Sequence, residues 1–70
     1  MTPTQLKYLI RLSDYPGPVS AQEMFTQLRM SKLSVGRMAD EGMIAKEIID
    51  GRSHYRLTSR GFEALPHPDR

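Results

Sequence analysis

SKLSVGRMADEGMIAKEIIDGRSHYRL, residues Ser31 to Leu57, changes its hydrophobic period once, and the change decides the fold. The first part reads as a short helix over 31–41. Ser31 suits an N-cap because its hydroxyl can accept an N–H that the first helical turn leaves unpaired. Val35, Met38 and Ala39 share one face at helical spacing, while Lys32, Leu33, Gly36 and Arg37 give the opposite face a small, basic character. Gly42 can take the left-handed conformation that stops a helix. From Met43 the period becomes two, with Ile44 and Ile48 on one side of a strand and Glu47 and Ile49 on the other. Asp50-Gly51 between apolar runs signals a hairpin, since a type I′ turn needs positive φ at both central residues. Ser53 to Leu57 is then the return strand, with Tyr55 and Leu57 inward and His54 and Arg56 outward.

Working outward, Thr2-Pro3-Thr4-Gln5 is a helix start. Thr2 caps, Pro3 occupies the first helical position and Gln5 can complete a capping box. Leu6, Leu9, Ile10 and Tyr8 supply an apolar face, and Lys7 and Arg11 face water. Tyr15-Pro16-Gly17-Pro18 ends this helix near Ser13-Asp14. Pro18-Val19 is extended and suited to a short strand against the hairpin. Ser20 to Glu23 reads as a second capping box, opening a helix with Ala21, Met24, Phe25 and Leu28 inward. Arg29-Met30 then forms the turn before the 31–41 helix. Two short helices joined by a tight turn make a helix-turn-helix, the second in reading position. With the hairpin as a wing over 44–57, the expected architecture is α+β, a winged helix-turn-helix. Thr58 caps a short last helix from Ser59 to about Leu65 that packs Phe62 and Leu65. The domain is expected over 1–65, with 66–70 a polar tail.

Composition agrees with one small domain. A chain of 70 residues buries only about 60% of its unfolded surface. With no cysteine, neither disulfides nor thiolate zinc sites can supplement that core. Met24, Met30, Met38 and Met43 read as adaptable core filler rather than a metal or redox device. No apolar run is long enough to span a bilayer and no signal-peptide core follows Met1, so the expected location is the cytoplasm, without a membrane partner. Net charge is +2, but 29–60 holds seven Lys/Arg against four acids. That local excess suits a nucleic-acid partner.

The runs Gly42-Met43-Ile44, Asp50-Gly51-Arg52 and Tyr55-Arg56-Leu57-Thr58-Ser59-Arg60-Gly61 resemble, in this order, the wing segment of MarR-like bacterial winged-helix regulators. The resemblance covers roughly residues 18 to 65 and implies DNA binding in transcription regulation, in a bacterial or phage setting. Two departures limit it. The 31–42 segment is about one turn shorter than that family's reading helix, and the long terminal helices of its dimer are missing. Neither its dimer nor its ligand pocket is carried over.

Each candidate DNA contact has a plainer reading beside it. Lys32, Ser34, Gly36 and Arg37 lie where side chains reach major-groove edges and a glycine lets backbone approach, or they form a solvated helix face. Arg52 and Arg56 can reach phosphate or the minor groove; alternatively, Arg52 merely pairs with Asp50. Ser20 and Gln22 open a helix whose N–H groups suit a phosphate, although the cap alone accounts for Ser20. Arg60 near another helix start is similar, and His54 is either a phosphate contact, a pH sensor or plain surface. There is no nucleophile–base pair, phosphate-cradling glycine loop or His/Cys ligand set, so neither an enzyme nor a cofactor or metal is expected. The leading expectation is a small regulator on double-stranded DNA, bound as a homodimer or cooperative array. Leu6, Leu9, Tyr15 and Phe62 are candidates for the contact between copies. The alternatives are an excisionase-like architectural protein, or a winged-helix module or inhibitor with a protein partner and no DNA, which exposed Leu33 and the low net charge favour.

Overall fold

A computed structural model describes residues 2–66 of the chain. The elements run α1 (Pro3–Ser13), β1 (Val19–Ser20), α2 (Ala21–Thr26), α3 (Lys32–Asp40), β2 (Ile44–Ile49), β3 (Arg52–Leu57) and α4 (Ser59–Glu63). Their boundaries follow local chemistry. The Gln5 N–H donates to Thr2 Oγ1 at 3.2 Å and the Thr2 N–H to Gln5 Oε1 at 3.1 Å, closing the capping box of α1. Ser20, Ser31 and Thr58 each accept an N–H from three residues on, capping α2, α3 and α4. Gly42 ends α3 at φ 80°, and Asp50 (53°) with Gly51 (77°) supplies the two positive φ angles of the hairpin turn.

Three antiparallel strands form a sheet in the order β1-β3-β2. The hairpin turn sets the register, pairing Ile49 with Arg52, Glu47 with His54 and Ile44 with Leu57. β1 pairs only through Val19 with Tyr55 and Ser20 with His54, so it supports the base of the hairpin and leaves the far end unaccompanied. The core lies between this base and α1–α3. Leu9, Met24, Val35 and Met38 are fully enclosed, with Tyr8, Leu12, Val19, Met30 and Ile44 around them. Each such side chain contributes roughly 1.5–3 kcal/mol by leaving water. Tyr8 also ties α1 to α3, its hydroxyl accepting the Ser31 N–H at 3.1 Å. The architecture is an α+β winged helix-turn-helix.

Several expectations are corrected. The buried face of α1 is Gln5, Tyr8, Leu9 and Leu12; of the expected face Tyr8 and Leu9 are buried, but Leu6 is only half-buried and Ile10 is exposed. Burying the capping glutamine, whose amide is already bonded, rotates the face by about one residue. Leu9 is therefore unavailable for contact between copies, and Tyr15 and Leu6 are half-buried. Glu23 does not complete a box with Ser20, because its carboxylate accepts the Tyr15 hydroxyl at 3.1 Å instead. Ile48 is 63% exposed, since the hairpin outruns the body that would cover it. Phe62 is 53% exposed rather than packed; within α4, which ends at Glu63, the inward position goes to Gly61, and Ala64 and Leu65 just beyond it pack against the core. Of the expected 66–70 tail, 67–70 lie outside the described residues.

Candidate nucleic-acid interface

The outer face of α3 is built by exclusion. Val35 and Met38 fill the core, which turns Lys32, Leu33, Gly36 and Arg37 outward as exposed residues. Leu33 is 69% exposed, a large apolar side chain on an otherwise polar helix surface. A Cβ built on Gly36 would meet no atom within 4 Å, so backbone is laid bare at the middle of the face. The Arg37 guanidinium has no ion-pair or hydrogen-bond partner among the described residues. The Lys32 ammonium stands 5.7 Å from the centre of the Phe25 ring, a cation–π distance that ties it to α2. Ser34 belongs less to this face than expected: it is half-buried and its N–H donates to Ser31 Oγ at 3.2 Å.

The wing gathers a second group. Arg52, His54 and Arg56 alternate along β3 and therefore share one face, and the register sets Ser20 and Glu47 on either side of His54. Arg56 Nε lies 3.2 Å from Glu47 Oε1, with both side chains about half exposed. Such a pair is worth no more than about 1 kcal/mol, so a phosphate can displace the carboxylate. Among the described residues no ion pair joins Arg52 to Asp50, and Arg52 stands exposed beside the turn. His54 is half-buried, and its Nδ1 lies 3.0 Å from the Arg52 carbonyl, a hydrogen bond when that nitrogen carries the proton. Ser20 is occupied as a cap, its Oγ accepting the Glu23 N–H at 3.1 Å, whereas Gln22 is exposed on α2.

Arg60 belongs to neither group. Its Cδ passes 3.6 Å from the Cβ position of Gly42, so it lies along the joint between α3 and β2. Sequence reasoning overlooked Glu47 as the wing's counter-charge. A two-residue turn at 50–51 already dictates that 47 faces 54, so the signal was present. Among the described residues, no group of three or more His, Cys, Asp or Glu side chains could hold a metal ion, and no helix is long and apolar enough to cross a membrane.

No family model matches this sequence, and no curated protein matches it. Among solved structures the chain is similar to a probable transcriptional regulator from Pseudomonas aeruginosa, with a TM-score of 0.73 and 26% sequence identity. The match covers 87% of this chain and 51% of that one, so this chain spans about half of the neighbour's length. The chain is a winged helix-turn-helix domain, similar in architecture to a probable transcriptional regulator.

Proposed function

We propose that this chain binds double-stranded DNA and regulates transcription. α3 enters the major groove, and the wing lies on backbone phosphate or in the minor groove. The reading is carried by the outer face of α3, where bare backbone at Gly36 is flanked by exposed Lys32 and Arg37. A protruding helix with a gap in its side-chain cover lets backbone come close to base edges. Arg37 acts on bases, whereas Arg52 and Arg56 hold the duplex through phosphate, which carries no sequence information. The likeness to a probable transcriptional regulator supports the same function. One such module covers on the order of 600–1,000 Å², so the protein works as a dimer or in cooperative arrays. No catalytic step is assigned to it.

A second reading has its own observation. Leu33, 69% exposed at the start of α3, would anchor this face on a protein partner instead. Titration of the chain against duplex DNA at several salt concentrations separates the two. Engagement of three phosphates gives a log–log slope of about −2.7, from about −0.9 per phosphate. The Lys32→Ala/Arg37→Ala and Arg52→Ala/Arg56→Ala variants should both bind more weakly. A folded chain with no salt-dependent binding at low salt overturns the DNA reading in favour of a protein partner. A large bend in the bound duplex, measured by end-to-end energy transfer, would indicate an excisionase-like architectural role rather than a regulator.

A further inference from the structure

A cleft of about 410 Å³ opens between α1 and the turn joining α2 to α3, lined by none of the side chains of the two groups described above. Three cations line it, Lys7, Arg11 and Arg29, and among the described residues no carboxylate does. Thr4 and Gln27 add a hydroxyl and an amide. Tyr8, only 8% exposed, contributes its phenol. That hydroxyl accepts the Ser31 N–H, and its own proton has no acceptor among the described residues, which leaves it able to donate into the cleft. Arg11 is held in place by a 3.0 Å bond from Nη1 to the Leu28 carbonyl, with the rest of its guanidinium available.

Arg29 adds an independent observation. Its φ is 54°, a left-handed conformation that glycine, asparagine or aspartate usually fills. The neighbouring contacts hold it there: the Met30 N–H donates to the Met24 carbonyl at 2.8 Å, and Ser31 is tied to Tyr8. The bond back to Met24 makes this the left-handed turn that ends α2, and the residue placed there is a cation lining the cleft rather than the usual glycine.

We propose that this cleft binds a phosphate group. Converging cations with hydroxyl and amide donors match phosphate oxygens, and the absence of a carboxylate leaves no internal counter-charge. The phosphate has two sources of the same chemistry. One is the backbone of a duplex lying along α3, whose N-cap Ser31 is bonded to Tyr8 in the cleft; this source rests on the DNA reading above. The other is a free phosphorylated small molecule.

Two measurements test the site in wild type and in Lys7→Gln/Arg29→Gly, which spares the Arg11 bond and relaxes the backbone at 29. The first follows amide NMR signals during addition of inorganic phosphate, against sodium chloride at equal ionic strength. Saturable, phosphate-specific shifts at Tyr8, Arg29 and Ser31, lost in the variant, are expected. The second is the salt slope of duplex binding, which becomes shallower by about 1.8 in the variant if both cations meet backbone phosphate. A change of slope assigns the site to the duplex. A phosphate response with an unchanged slope assigns it to a free phosphorylated ligand. No phosphate response with an unchanged slope overturns the proposal and leaves the DNA reading standing. A phosphate response in a chain that binds no duplex keeps the cleft and overturns the DNA reading. A chain showing neither response loses both.

Discussion

Replacing Gly61 by alanine tests the joint at which β3 hands over to α4. A Cβ at this position would lie 2.1 Å from the Met43 carbonyl oxygen, 2.9 Å from Leu57 Cδ2 and 3.1 Å from the Met43 carbonyl carbon. The leucine can rotate away, but the carbonyl cannot. It accepts the Thr58 N–H at 3.1 Å, lies 3.0 Å from Thr58 Oγ1 and immediately precedes the first residue of β2. The two segments must therefore part by roughly 1 Å, at the upper end of overpacking costs, about 3 kcal/mol. Alanine regains up to about 1 kcal/mol of helix propensity, leaving a net loss of about 2 kcal/mol. A domain of this size unfolds at about 4–8 °C lower temperature per kcal/mol, so the midpoint should fall by about 8–16 °C. Thermal melts followed by far-UV circular dichroism measure this, with Gly36→Ala as control. Gly36 has no neighbour within 4 Å of its Cβ position and lies inside α3, so its alanine variant should gain about 0.5–1 kcal/mol. If Gly61→Ala melts at or above wild type, as the control should, steric closure at this joint is not what Gly61 provides.

Other expectations follow from single residues. Arg37→Ala should weaken a specific duplex site more than random DNA, and Arg52→Ala should weaken both alike; equal losses for Arg37→Ala would remove it from the base contacts. Arg29→Gly should raise stability by about 0.5–1 kcal/mol in urea unfolding, the left-handed penalty less the entropy glycine adds to the unfolded chain. Loss of stability there would mean that the side chain, not the backbone, dominates. The Tyr15 hydroxyl is pushed above its ordinary value of 10.0, first by its hydrogen bond to Glu23 and then by burial and that carboxylate's charge. A raised folded pKa keeps its contribution intact below pH 10 and loses it as pH climbs through the folded value. Tyr15→Phe should therefore show a flatter decline of stability above pH 10 in denaturant titrations, and an unchanged decline would refute the assignment.

Where one or two residues settle the local geometry, the chain could be read directly. Thr2 with Gln5, Ser31, Gly42 and Asp50-Gly51 each act within a few residues, and the elements they bound stand where expected. What escaped reading depends on neighbours remote in sequence. Nothing local says that Gln5 is buried or that the hairpin leaves Ile48 uncovered. Arg29 is harder still, since an arginine gives no local hint of positive φ; the conformation is held by the Met30 N–H bonding back to the Met24 carbonyl and by Ser31 bonding to Tyr8. Lys7 and Arg11 were legible as surface cations, but their shared cleft with Arg29 exists only once the turn is placed.

The support that β1 gives the sheet stops at Tyr55 and His54, so the outer rungs of the hairpin carry no structural duty toward the core. This makes wing length an adjustable part. Adding or removing residues in pairs, one rung on each strand, shifts the turn without altering which side chains face which way once two rungs are changed. Each two-rung step moves the tip by about 6.8 Å, roughly the spacing of successive phosphates along one strand. A series of such hairpins on an unchanged body would act as a molecular ruler for how far the protein reaches along its ligand.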